Sequence, residues 1–227
     1  MLSGRTTLVG LIGNPVEHSL SPAMHNAAFA ARGLDWAYVP LLVEAERVED
    51  AVRGLVALGF VGANVTAPHK AAAAAACETE LDSVNVLLVR DGLVQGVSTD
   101  AAILEGLPGE RPAILGSGGA AAAFSAALPL ARVFSRRGDW PPEVAGADLV
   151  VNATSERDEI ICALSEGQTL VDLPYPETAT ARAGRESGAT VVNGLEVLLA
   201  QGIASFELWT GVPAPVAVMR AAVGLAP

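Results

Sequence analysis

Short apolar runs recur along this chain, and helix-like runs alternate with them. Leu8–Ile12 reads LVGLI, the pattern of a strand buried on both faces. A helix is expected over 22–32, then a strand at 36–43. Val48, Val52, Leu55 and Leu58 recur at helical spacing, so 45–58 predicts an amphipathic helix. The stretch GANVT, ending at Thr66, is the next strand. Alternation of this kind dictates an α/β fold built from βαβ units on a mainly parallel sheet.

The pattern changes at 84–97, where VNVLLV and LVQGV flank RDG, an Asp-Gly hairpin turn. It then restarts, with strand runs at 112–116, 131–135, 147–153, 169–174 and 190–194 and helices at 119–130 and 178–187. That is a second, doubly wound sheet. The Pro/Gly-containing stretch at 107–111 reads as the join, and 195–223 as two helices, the last expected to pack back on the first domain. The expected organisation is an N-terminal α/β domain of residues 1–100, completed by 195–227, and a Rossmann-like doubly wound domain of 101–194. At 227 residues there is room for two such cores.

Composition removes several function classes. Hydrophobic residues make up 51% and charged residues 17%, which excludes a disordered chain. A net charge of −11 argues against nucleic acid, whose phosphates need a basic face. A small anion needs only local donors and stays open. MLSGRTTLVGLIG has no signal-peptide h-region, and no run approaches the ~18 apolar residues of a membrane span. Cys77 and Cys162 lie far apart without CxxC spacing, which points to reduced thiols in a cytoplasmic protein. His18, His25 and His69 show no zinc spacing, so no metal is expected.

Several short stretches carry chemistry. In GNPVEHSLSPAMHNAAF, residues 13–29, Ser21 is placed as an N-cap and Pro22 as the first helical residue. Capping leaves Ser19, His18 and Asn14 unexplained, and hydroxyls beside free helix N–H groups suit a small anion. In NVTAPHK, Asn64 and Thr66 offer hydrogen bonds and Lys70 an ammonium group. Lys70 with Asp100, at the end of STD, would make a pair able to shuttle a proton in carbonyl reduction. Asn85 is an oddly polar residue in an apolar strand unless it faces a ligand. LGSGGAAAAF follows a strand and opens a helix, and Gly116, Gly118 and Ala121 fit the G-x-G-x-x-G/A dinucleotide turn. About 20 residues after its first glycine, an NAD unit would carry an acid for the ribose hydroxyls. Ser135-Arg136-Arg137 stands there instead, which suits the 2′-phosphate of NADP.

With these blocks in order, the chain resembles the shikimate dehydrogenase family. GNPVEHSLSPAMHN, NVTAPHK, Asn85, STD, GSGGA, NAT and GLEVLLAQGIASFELWTG all match its motifs, from residue 12 to 211. The resemblance implies two α/β domains, substrate-binding and NADP-binding, and reversible NADP-dependent reduction of 3-dehydroshikimate to shikimate. It implies that Ser19 and Ser21 hold the substrate carboxylate, that Asn64, Thr66, Asn85, Asp100, Tyr175 and Gln201 lie at the ring, and that Lys70 and Asp100 are catalytic. Gly116, Ser117, Gly118, Gly119, Ala120, Ser135, Arg136, Arg137, Leu173 and Gly194 would line the cofactor site.

The chain departs from the family in places. SERDE follows Asn152-Ala153-Thr154 where the family has Gly-Met, and ten residues separate Arg137 from Asp148, fewer than usual. The expectation is a shortened member with a smaller nucleotide sheet. An NAD-using quinate/shikimate dehydrogenase and a shikimate-binding paralogue without efficient turnover stay open beside it. The expected partner is a small-molecule substrate, with no nucleic acid and no membrane, and a homodimer is kept open.

Overall fold

A computed structural model describes residues 2–226. The first apolar run becomes β1 (Thr7–Gly13), with α1 (Ser21–Ala31), β2 (Trp36–Leu42), α2 (Val48–Ala57), β3 (Phe60–Val65) and α3 (Lys70–Ala75) following. The predicted helix over 45–58 begins as a 3-10 turn, Ala45–Arg47, before α2 takes over. β4 (Val86–Arg90) and β5 (Leu93–Val97) form the hairpin, with Asp91 and Gly92 both at positive φ, as a type I′ turn requires.

The strands make a mixed sheet in the order β2-β1-β3-β4-β5. β1 pairs in parallel with β2 and β3, and the hairpin adds the antiparallel half. β1 is central, which is why its residues from Val9 onward are buried on both faces. Ile12, Val52, Leu55, Val65 and Leu87 anchor the core on one side of this sheet.

The second sheet comprises β6 (Pro112–Leu115), β7 (Arg132–Phe134), β8 (Leu149–Asn152), β9 (Thr169–Asp172) and β10 (Thr190–Val192). All its pairings are parallel, in the order β10-β9-β8-β6-β7. The order reverses between β6 and β8, the switch point where open α/β sheets bind ligands. α4 (Gly119–Ala127) links β6 to β7, and α5 (Ala179–Glu186) links β9 to β10.

The second sheet has five strands, and 135–148 and 153–168 cross over without a helix. Side chains hold these loops in place of a helix's own hydrogen bonds. The Gln168 amide donates to the carbonyls of Val144 and Ala147, both at 2.8 Å. Thr180 accepts the Ile161 amide and donates to the Glu159 carbonyl. The loops thereby bring Val144, Ile161, Cys162 and Leu164 onto one face of the sheet, where Ala181 of α5 joins them. On the other face, Phe124 of α4 packs with Ile114, Val151 and Val197.

The chain divides into two compact units, one of residues up to Thr99 with those from Leu199, the other Asp100–Leu198. The break precedes the 107–111 stretch because Ala101, Ile103, Leu104 and Leu107 pack into the core that α4 covers. α6 (Gly194–Thr210) begins in the second unit, and its residues from Leu199 belong to the first. α7 (Val216–Ala222) packs on α1, as expected for the last helix. Among the described residues, no helix is long and apolar enough to cross a membrane.

Candidate active site

In the first unit, candidate groups cluster around the turn after β1. The capping expectation for Ser21 is overturned: Leu20 is the N-cap, without a side-chain cap bond, and α1 starts at Ser21 itself. Ser19 Oγ instead accepts the Ser21 amide at 3.2 Å. The Ser21 hydroxyl, on a residue 7% exposed, makes no hydrogen bond with any described residue. Asn14, unexplained by the sequence, donates to Glu44 Oε2 at 3.1 Å, while His18 is exposed.

Beyond β3, half-buried Thr66 likewise has a hydroxyl without a partner among the described residues. His69, unassigned by sequence reasoning, is buried with Nε2 2.7 Å from the Val43 carbonyl oxygen. An oxygen acceptor there places the proton on Nε2, so His69 pins the turn that presents Lys70, the half-buried first residue of α3.

Asn64 requires a different reading from the expected one. Its amide donates to the Asn85 carbonyl and to Ser205 Oγ, each at 3.1 Å, and its Oδ1 accepts from Tyr38 Oη at 2.8 Å. Both N–H donors are engaged inside the protein, so Asn64 is a strut tying β2, the residue before β4 and α6 together rather than an open ligand group. Ser205 passes the chain on, donating to the Gln201 carbonyl at 2.8 Å.

Asn85 is 3% exposed, and its polarity has an internal reason. Its Oδ1 accepts the Thr99 amide at 2.7 Å and its Nδ2 donates to Thr99 Oγ1 at 3.0 Å. That clamp fixes the residue preceding Asp100. Thr99 Oγ1 also reaches the Gln201 carbonyl at 3.5 Å.

Behind Asn64 stands an aromatic wall that the sequence did not reveal. His25 is fully buried and stacks on Tyr38, with ring centroids 4.6 Å apart. Trp209 tilts against it at 5.3 Å and donates its indole N–H to the Leu87 carbonyl. Neither His25 nitrogen has a hydrogen-bond partner among the described residues. Burial lowers its pKa from the ordinary 6.5 to about 3, so the ring is neutral.

In the second unit the glycine turn divides its tasks. Gly116 has φ +129°, and a Cβ there would come 2.8 Å from the Ala153 carbonyl oxygen, so only glycine fits. Gly118 is the N-cap of α4 with open space where its Cβ would be. Gly119 and Ala120 begin the helix, and Ala121, 1% exposed, packs beneath it. Free amides at a helix start with room above them fit a pyrophosphate.

This turn opens into a cavity of about 540 Å³ lined by Gly116, Ser117, Gly118, Ser135, Arg136 and Arg137, together with Trp140, Thr154 and Glu156. The NAT stretch is fastened to the sheet: Asn152 Nδ2 donates to Asp172, and Asn152 Oδ1 accepts from the Thr154 amide and hydroxyl. Asp100, opening a 3-10 turn, is 1% exposed. Tyr175 is half-buried. Gly194 is pressed against the 173–174 backbone, since a Cβ would collide with the carbonyl oxygens of both Leu173 and Pro174.

A mixed sheet flanked by paired hydroxyls and a lysine, and a parallel five-stranded sheet with a glycine turn at its switch point, define a two-unit α/β protein of the dinucleotide-binding, doubly wound class. Residues 11–87 match the family model described as the shikimate dehydrogenase substrate binding domain, and 194–223 that of the shikimate 5'-dehydrogenase C-terminal domain. The shikimate dehydrogenase (NADP(+)) of Anaeromyxobacter sp. (strain Fw109-5) is 40% identical, over 98% of each chain. That alignment runs over 272 positions against the 227 residues here, so its surplus positions fall opposite gaps in this chain. Shikimate dehydrogenase from Aquifex aeolicus superposes with TM-score 0.90 at 30% identity, covering 99% of this chain and 100% of that one. The Thermus thermophilus enzyme, in complex with NADP(H) and shikimate, gives 0.83 at 28% identity, covering 96% and 98%. The chain belongs to the shikimate dehydrogenase family.

Proposed function

We propose that this chain catalyses the reversible NADP-linked reduction of 3-dehydroshikimate to shikimate in the cytoplasm, its first unit binding the substrate and its second the cofactor. The observation that carries the reading is the full-length kinship with NADP-dependent relatives, in a chain that has both Lys70 and Asp100. When bound, NADPH would supply the hydride for the substrate carbonyl.

In this reading the protein's part begins with the carboxylate. The uncommitted Ser21 hydroxyl donates to it, and Ser19, whose oxygen already accepts the Ser21 amide, still has its own O–H to donate. Thr66, Asn85, Gln201 and Tyr175 orient the ring, with Asn64 acting behind them as a positioning residue. Lys70 stabilises the developing oxyanion and transfers the proton, while Asp100 orients the reacting hydroxyl. The Gly116–Ala120 turn would hold the pyrophosphate, with Ser135, Arg136 and Arg137 toward the adenosine end and Leu173 and Gly194 toward the nicotinamide.

The test is purified protein with shikimate and NADP or NAD, followed at the nicotinamide absorbance. Turnover faster with NADP supports the reading. Shikimate binding without turnover would sink it in favour of the non-catalytic paralogue, and a rate confined to NAD would favour the quinate/shikimate enzyme. Light scattering on the same preparation reads whether it is a homodimer.

A further inference from the structure

The nucleotide cavity contains a carboxylate that the glycine turn and the arginine pair do not account for. Glu156 belongs to the SERDE stretch and lines the same cavity as Arg136 and Arg137. Its Oε1 accepts the backbone N–H groups of Arg157, Asp158 and Glu159 at 3.1, 3.1 and 3.3 Å. Its Oε2 accepts from Arg136 Nη2 at 3.2 Å. The Asp158 and Glu159 amides, with help from Arg136, hold the carboxyl below the usual range, so it is ionised at neutral pH. Glu159 places a second carboxylate 3.6 Å from the same guanidinium. Arg136 also lies over the Trp140 ring, 5.6 Å from its centroid. Arg137, by contrast, has no hydrogen-bond or ion-pair partner among the described residues.

A phosphate monoester carries a charge of about −1.5 to −2 at neutral pH. Entering this cavity, it would meet an Arg136 already neutralised by two carboxylates, with Glu156 as a fixed like charge on the wall. We infer that Glu156 is a specificity-determining residue: it competes with the cofactor's 2′-phosphate for Arg136 and leaves Arg137 as the cation that grips it. This rests on the cofactor reading above, and its consequence is weaker discrimination between NADP and NAD than two adjacent arginines would give. Exposed ion pairs are weak, so the competition is several-fold and does not bar the phosphate.

The experiment is calorimetric titration of the full chain with adenosine 2′,5′-bisphosphate and with ADP, so that binding is read without turnover. Glu156→Gln removes the charge while leaving an acceptor oxygen for the three amides. It is expected to tighten the 2′,5′-bisphosphate about three- to tenfold and to change ADP by less than about twofold. Adding Arg136→Ala to Glu156→Gln should abolish most of the gain, a coupling that a double-mutant cycle isolates. Arg137→Ala alone should weaken the 2′,5′-bisphosphate about tenfold or more. Unchanged or weaker 2′,5′-bisphosphate binding in Glu156→Gln, or an equal gain for both nucleotides, would overturn the inference. A wild-type chain that binds neither nucleotide would remove the cofactor reading itself, whereas one that binds both and ignores Glu156→Gln removes only the role of Glu156.

Discussion

Replacing Asn64 by Ala separates a strut from a ligand group. The side chain makes three hydrogen bonds, at 2.8, 3.1 and 3.1 Å, to Tyr38, the Asn85 carbonyl and Ser205. An intramolecular hydrogen bond contributes roughly 0.5–1.5 kcal/mol net. Two of the three losses fall at the low end, because the Asn85 carbonyl keeps the Val65 amide at 2.9 Å and Ser205 keeps the Gln201 carbonyl at 2.8 Å. The expected destabilisation is therefore about 1.5–2.5 kcal/mol, or roughly 3–10 °C in Tm for a chain of this size. Thermal melts followed by circular dichroism measure it, with steady-state kinetics on the same preparations. Asn64→Asp, which puts a carboxylate oxygen against the Asn85 carbonyl in place of the donor, should be destabilised at least as much as Ala. A variant that melts with wild type yet raises KM for shikimate would show that Asn64 faces the substrate, refuting the reassignment.

Lys70→Ala should lower kcat by about 10²–10⁴-fold with a much smaller rise in KM, because its interaction strengthens as charge develops on the reacting oxygen. Near wild-type kcat would reduce Lys70 to a surface charge. Ser21→Ala removes a hydroxyl without an internal partner, so Kd for shikimate should rise about tenfold or more while Tm holds; Ser19→Ala should weaken binding and lower Tm together, since its oxygen also receives the Ser21 amide. His25 is lowered from 6.5 to about 3, so below pH ~6.5 the unfolded chain binds a proton that the folded chain refuses. Stability should accordingly fall on acidification by up to about 1.4 kcal/mol per pH unit between those values, and His25→Phe should flatten that slope; identical pH profiles for variant and wild type would exclude His25 as its source.

What could be read from the sequence is what local pattern encodes. Uninterrupted apolar runs and helical spacing located the strands and most helices within a few residues, and RDG located the hairpin turn, because each depends only on neighbours in the chain. The glycine turn was legible for the same reason. Its φ and close-approach demands fall on Gly116 itself.

Pairings between distant residues were not legible. Whether Asn64 serves a ligand or a strut depends on Tyr38 and Ser205, 26 and 141 positions away, and nothing in NVTAPHK specifies them. Ser21 looked like a cap because of its residue type, yet the preceding turn takes its amide back to Ser19 and shifts the helix start by one residue. The same limit governs the arginine pair. Ser-Arg-Arg after β7 announces cations at the adenosine end, but a cation's availability depends on what faces it, and the SERDE loop 20 positions on supplies Glu156 to Arg136. That loop is one of the two crossovers left without a helix. In this helix-free crossover the amides of residues 157–159 turn to the Glu156 carboxylate, which stands on the cavity wall. On this argument the SERDE loop bears on which nucleotide the chain holds.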